Sequence, residues 1–122
     1  MKILLIDDSA LSKKMIMRVI ETVDNEIVTV EANGGGAGIA LFKAEAPDIV
    51  FCDLLMPDMD GIDVVSRIRE MSSEAFIVVL SSDAQEERRK EAGLAGVDLF
   101  LKKPLDLKKM ASCIEQYSDA KK

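Results

Sequence analysis

Five short apolar runs, ILLI (3–6), IVTV (27–30), IVFC (49–52), FIVVL (76–80) and VDLFL (97–101), recur along this 122-residue chain. Four are nearly uninterrupted and rich in β-branched residues, the pattern of strands covered on both faces. The segments between them have helical spacing. Leu11, Met15, Val19 and Val23 recur every fourth residue, and Ile62, Val65 and Ile68 form a shorter stripe. Leu107, Met110, Ala111, Ile114 and Tyr117 make a further apolar face near the C-terminus. Strands alternating with helices join through right-handed crossovers, and such crossovers build a parallel sheet. The expected fold class is therefore α/β, a doubly wound (βα)5 sandwich. The length suits one domain with a single core, and no internal repeat or linker interrupts it.

Two of the runs end on acids. The first stops at Asp7 and Asp8, and the third stops at Asp53, in FCDLLMPDMDG (51–61). In open parallel sheets, functional groups collect beyond the carboxyl ends of the strands, where strand order reverses. If strands 1 and 3 flank that point, the three carboxylates share one crevice. Like charges that close must raise their pKa values or bind a cation, and an all-oxygen cluster suits Mg2+. Strand 4 ends on Ser81, a hydroxyl, and strand 5 on Lys102, Lys103 and Pro104, which adds an ammonium. Acids, a divalent cation, a hydroxyl and a lysine are the parts for phosphoryl transfer, where a protein mainly positions groups and neutralises charge. Any one of these residues alone is more often structural. Their joint occurrence at four strand ends carries the reading.

Composition closes off other functions. The net charge of −6 and the pI near 4.7 argue against non-specific binding to nucleic acid or an anionic membrane. Without Trp, and with 4% aromatic residues, a base-stacking platform is not expected. The absence of His removes His-based acid–base catalysis and His-ligated zinc. Cys52 and Cys113 show no C-x-x-C and read as buried or half-buried thiols in a reducing compartment. The start MKILLIDDS is too short and too acidic for a signal peptide, so the expected location is the cytoplasm.

The residues LLIDD (4–8), D-x-x-M-P-x-M-D-G (53–61), LSS (80–82) and KP (103–104), in this order and spacing, resemble the receiver domain of two-component response regulators. The likeness spans essentially the whole chain. It implies a CheY-like (flavodoxin-like) sheet in the order 2-1-3-4-5, with residues 1–122 forming one receiver domain and no output domain in the chain. It further implies that Asp53 is the phosphoacceptor, forming an acyl phosphate. Asp8 and Asp53 would bind Mg2+ (with Mn2+ as a substitute), Asp7 through water, and Leu55 through its backbone carbonyl. Lys103 would pair with the acceptor carboxylate and then with phosphoryl oxygens, and Ser81 would donate to one of them. The family usually holds the bond before Pro104 in cis, aiming Lys103 into the site. Phe100 falls at the family's switch aromatic, moving as Ser81 moves and biasing the face of helix 4, strand 5 and helix 5. Here Phe stands where Tyr is commoner, and apolar Leu55 is expected to impede a hydrolytic water. The implied donor is a histidine kinase or a His-containing phosphotransfer protein. An output partner or covalent output domain would receive the signal, and a phosphorylation-dependent homodimer is left open. Such a protein is a switch that catalyses only its own modification, not an enzyme.

Other patterns fall short. NGGGAG (33–38) lacks a glycine at residue 39 and a following G-K-[ST], so it reads as a loosened helix start. DMDG (58–61) fails both anchors of a calcium loop; Pro57 and Gly61 instead shape the loop beneath the acceptor, and Asp60 is expected to cap the next helix. QEERRKE (85–91) reads as a solvated, weakly held helix face. Met15, Met17, Met56, Met59, Met71 and Met110 read as core filler. Three competing functions fit the residues less well. An aspartyl phosphohydrolase would want D-x-D-x-T, and residues 53–57 are DLLMP. A receiver-like binding module without phosphorylation is disfavoured by the intact set Asp8, Asp53, Ser81 and Lys103. A flavin carrier would need a Ser/Thr/Gly-rich loop after strand 1, which DDSALSKK is not.

Overall fold

The computed structural model describes residues 1–83 and 85–122. Strands and helices alternate throughout: β1 (Lys2–Ile6), α1 (Ala10–Val23), β2 (Val28–Ala32), α2 (Gly35–Glu45), β3 (Ile49–Cys52), α3 (Gly61–Met71), β4 (Phe76–Ser81), α4 (Glu86–Ala95), β5 (Leu99–Lys102) and α5 (Leu107–Ala120). The strands form one parallel sheet in the order β2-β1-β3-β4-β5. This is the α/β, doubly wound architecture expected, and β1 and β3 are neighbours as the acidic crevice requires.

Side chains alternate across the sheet and build two cores. Ile3, Leu5, Ile49, Phe51, Val78 and Leu80 face α1 and α5, where Ile16, Ile20, Met110 and Cys113 meet them. Leu4, Ile6, Val50, Cys52, Ile77 and Val79 face α2, α3 and α4, against Val64, Val65, Ile68 and Ala92. The central strands β1, β3 and β4 are buried on both faces, which explains their unbroken apolar runs. β2 and β5 are edge strands and only partly covered, so their outer positions tolerate Thr29, Glu31 and Lys102.

The helix stripes need correction. Leu11 and Met15 are 69% and 50% exposed, and α1 instead buries Lys13, Ile16 and Ile20. A row spaced by four residues rotates about 40° per step around a helix with 3.6 residues per turn. Its C-terminal members, Val19 and Val23, therefore reach the core while its first two swing out. Leu107 is likewise 50% exposed, Ala111 is exposed, and the buried residues of α5 are Met110 and Cys113. Met15 and Met71 are not core residues, whereas Met110 is.

Helix starts are capped from nearby carboxylates and hydroxyls. Ser9 accepts from the Ser12 amide, Asp60 from Ile62 and Asp106 from Lys109. α2 has no such cap of its own. Its Gly35 and Gly36 amides donate, each at 3.1 Å, to the Asp58 carboxylate of the β3–α3 loop. A Cβ on Gly34 would stand 2.7 Å from Asp58 Oδ1, so the glycines admit a carboxylate from another part of the chain. Arg69, at the end of α3, donates to the carbonyls of Gly96 and Ala75 and to Asp98, tying α3 to the α4–β5 turn.

Candidate functional site

The carboxyl ends of the strands are held by backbone pairing that continues one residue past each strand. The Asp7 amide donates to Ala32 O at 3.1 Å, the Asp53 amide to Ile6 O at 3.0 Å and the Lys103 amide to Ser81 O at 2.8 Å. Asp7, Asp53 and Lys103 are thereby fixed at one edge before their side chains make any contact. Asp7, Asp8 and Asp53 each offer a carboxylate oxygen, all within 4.8 Å of one another. Asp7 is 3% exposed and Asp8 lies open to solvent, an arrangement with a closed wall and an open mouth.

Lys103 bridges the acids. Its Nζ donates to Asp7 Oδ2 at 2.9 Å and to Asp53 Oδ2 at 3.2 Å. Burial alone would lower the pKa of this ammonium. The Asp7 hydrogen bond and the charges of Asp53 and Asp7 outweigh that and hold it above its ordinary value. Lys103 therefore stays charged at any pH near neutral. The Lys103–Pro104 bond is cis, as expected. The second oxygens of the acids are also occupied. Asp7 Oδ1 accepts from the Ser9 amide at 2.9 Å, and Asp53 Oδ1 accepts from the Leu54 amide at 2.8 Å. Among the described residues, three hard anionic oxygens beside one ammonium form a donor set that fits Mg2+, which keeps several waters and takes few carboxylates.

The remaining expected residues stand around this cluster at different removes. Ser81 is buried at the end of β4, and its Oγ accepts from the Asp83 amide at 3.1 Å. Phe100 pairs in register with Val79 and packs into the α2–α4 core. The alternation of strand side chains puts Ser81 and Phe100 on that same face, two positions apart along the sheet edge. Arg89 lies over the Phe100 ring, 4.6 Å from its centroid. The Leu55 side chain is exposed and lines a cavity of about 390 Å³ with Asp8, Leu54, Met56, Pro57 and Asp60. Gly61 closes the loop with its amide on Leu54 O at 2.9 Å. A Cβ at Gly61 would lie 2.0 Å from Asp53 O, so only glycine fits beneath the loop that follows Asp53.

Three contacts of the site were not read from the sequence. Asp58 caps α2 from outside it, Asp60 pairs with Arg88 of α4, and the buried Lys13 donates to Asn33 Oδ1. The first was signalled only by an acid in a turn and glycines with no other use. The others join residues distant in sequence and left no local mark. Cys52 and Cys113 are buried, as expected. Desolvation raises both thiols, that of Cys113 to about 12 and that of Cys52 further, with Asp53 and Asp7 adding to the effect there.

Comparison with known proteins agrees with this geometry. The profile of the response regulator receiver domain matches residues 3–115. The chain belongs to the receiver domain family. It is 34% identical to the chemotaxis protein CheY of Halobacterium salinarum over 103 residues, covering 84% of both chains. It is 31% identical to CheY of Thermotoga maritima over 117 residues, covering 96% of this chain and 97% of that one. A crystal structure of the CheX–CheY–BeF3–Mg2+ complex from Borrelia burgdorferi superposes with a TM-score of 0.85 at 29% identity, covering 93% of this chain and 85% of that one. A CheY-like receiver domain from Methanospirillum hungatei shares the fold at a TM-score of 0.89 and 20% identity, covering 98% and 95%. Receiver domains of this kind are signalling switches that bind Mg2+ at an acidic pocket and interact with kinases and output partners. No helix among the described residues is long and apolar enough to cross a membrane.

Proposed function

We propose that this receiver is switched by phosphorylation of Asp53, with a histidine kinase or a His-containing phosphotransfer protein as donor. The observation that carries the reading is the Lys103 ammonium held between Asp7 and Asp53 beside Asp8. In the transfer, an Asp53 carboxylate oxygen attacks the phosphorus in line. The P–O bond forms, the donor's P–N bond breaks, and the electron pair stays on the imidazole nitrogen, which takes a proton. The Leu54 amide already fixes one Asp53 oxygen, so the carboxylate needs little reorganisation. Lys103 exchanges its ion pair with Asp53 for one with the phosphoryl oxygens, and Ser81 turns its hydroxyl toward them. Asp8, Asp53, the Leu55 carbonyl and, through water, Asp7 would hold Mg2+, with Mn2+ as a substitute; when bound, the ion supplies positive charge against the transferring group.

Movement of Ser81 then frees space on the face it shares with Phe100, and the ring's position biases the surface formed by α4, β5 and α5. An output partner or covalent output domain reads that surface, and a homodimer formed on phosphorylation is a further form of output. Pro104 and Pro57 keep the two loops that carry Lys103 and the acceptor in shape. Incubation with acetyl phosphate and Mg2+, read by intact mass, tests the chemistry. A base-labile phosphoryl increment is expected, lost in Asp53→Asn and with EDTA. An increment that survives Asp53→Asn would refute the assignment. In the same assay Leu55→Asn is expected to shorten the lifetime of the increment, because it replaces an apolar side chain at the mouth with one that can hold a water. An unchanged lifetime would remove Leu55 from the account.

A further inference from the structure

Helix α4 has little hold of its own. Its cap residue Gln85 makes no side-chain cap hydrogen bond, and Ala92 is its one buried residue. Gly93 has open space around it, and Leu94 is 90% exposed. Arg69 holds the C-terminal end of α4 through the Gly96 carbonyl, and two adjacent guanidinium groups join the rest of it to its neighbours. Arg88 Nη2 donates to both carboxylate oxygens of Asp60, at 2.9 and 3.1 Å, while its Nη1 reaches Glu91 at 3.1 Å. Arg89 covers Phe100. The Arg88 side chain is only 18% exposed although it sits on the most polar helix of the fold. Its pKa is raised, chiefly by the Asp60 hydrogen bond.

Asp60 is more than a surface partner. It lines the cavity beside Asp8 and Leu55, and it caps α3 through the Ile62 amide at 2.9 Å. The adjacent Gly61 amide closes the acceptor loop onto Leu54. The loop from Asp53 to Gly61 is thus tied at two points. Asp58 fixes it to the start of α2, and Asp60 joins it to α4. The first tie runs to backbone amides of a helix packed on the sheet. The second runs to a side chain on a helix that buries only Ala92 and is otherwise held at its C-terminal end by Arg69, so it is the tie through which movement can be passed on.

We propose that the Asp60–Arg88 pair is a latch that docks α4 and carries the state of the acceptor loop to it. Coupling between the two is reciprocal: whatever repositions Asp60 changes the hold on α4, and a released α4 changes the energy of the loop. The second half of the proposal rests on the phosphorylation reading above, and the first half does not. Hydrogen exchange of α4 amides in the unmodified protein tests the first half. Arg88→Gln and Asp60→Asn are each expected to speed α4 exchange on the order of tenfold while α3 stays protected, with the double variant no faster than either single one. Asp60→Asn keeps an oxygen for the Ile62 amide, and far-UV circular dichroism verifies the fold of each variant. Exchange within about twofold of the parent in both variants would overturn the latch. Beryllofluoride with Mg2+ tests the second half: it is expected to change α4 exchange in the parent and not in Arg88→Gln. A change of full size in Arg88→Gln would overturn the coupling. Failure of the phosphorylation reading would show separately, as the absence of an Asp53-dependent mass increment in the parent.

Discussion

Helices α3 and α4 lie side by side on one face of the sheet and are nearly equal in length, yet they are built differently. α3 is capped by Asp60, carries Asp63 in its first turn and Arg69 in its last, and buries Gly61, Val64, Val65 and Ile68. Those charges suit the helix dipole at both ends. α4 has acids in its first turn as well, but no side-chain cap, no base in its last turn and one buried residue. The contrast teaches where a switch can be placed. α3 begins at Gly61, whose amide closes the loop after Asp53 onto Leu54 O and which leaves no room for a side chain beside Asp53 O. α4 buries only Ala92 and is joined to its neighbours mainly through Arg69 and Arg88, so local opening is expected to cost less there than in α3.

The comparison can be broken in several places. The largest expected effect is in α3: Ile68→Ala removes a fully buried side chain and should cost about 2–5 kcal/mol in urea unfolding. A loss near the exposed-residue level would mean that α3 is no better anchored than α4. In α4, Gly93→Ala meets no atom within 4 Å and should add about 0.5–1 kcal/mol, slowing amide exchange in that helix. A destabilising result would show that the glycine is needed for packing. Leu94→Ala should change stability by less than about 0.5 kcal/mol despite removing a large apolar side chain, because that side chain touches almost nothing.

The smallest effect sharpens the contrast from the α2 side. The Gly36 and Gly35 amides hold the Asp58 carboxyl below its usual range. A carboxyl depressed in the folded state contributes stability that is present above its unfolded pKa of about 3.8 and is lost as pH falls through its folded value. Asp58→Asn should therefore flatten the acid limb of stability below about pH 4. An acid limb identical to the parent's, followed by urea midpoints across pH 3–6, would show that the tie to α2 has no energetic role.

Much of this arrangement was legible in the residues. The unbroken runs around Leu4, Val50 and Val78 marked strands covered on both faces, and the acids after the first two, with the lysine after β5, pointed to the site. The edge strands were less clear. Val28 and Leu99 carry the same kind of run but lie at the margins, so their boundaries moved by one or two residues and their burial was overestimated. Leu11 and Met15 share a row spaced by four, which winds around the helix and leaves them outside, and Leu107 lies in the exposed first turn of α5. Their neighbours Ile16, Ile20 and Cys113 took the core positions.

By itself, then, the sequence determined the alternation of elements, the central strands and the meeting of Asp7, Asp8, Asp53 and Lys103 at one sheet edge, because each depends on hydrophobic period or on chemistry at a strand end. Tertiary structure alone decided that Asp58 caps α2, that Arg88 reaches Asp60 and that Arg89 covers Phe100. Those contacts join residues 11 to 28 positions apart, and nothing in the local pattern of either element names the partner. Periodicity reports what a residue faces within its own element. Which charged side chain stands opposite is fixed only when the sheet brings the helices together.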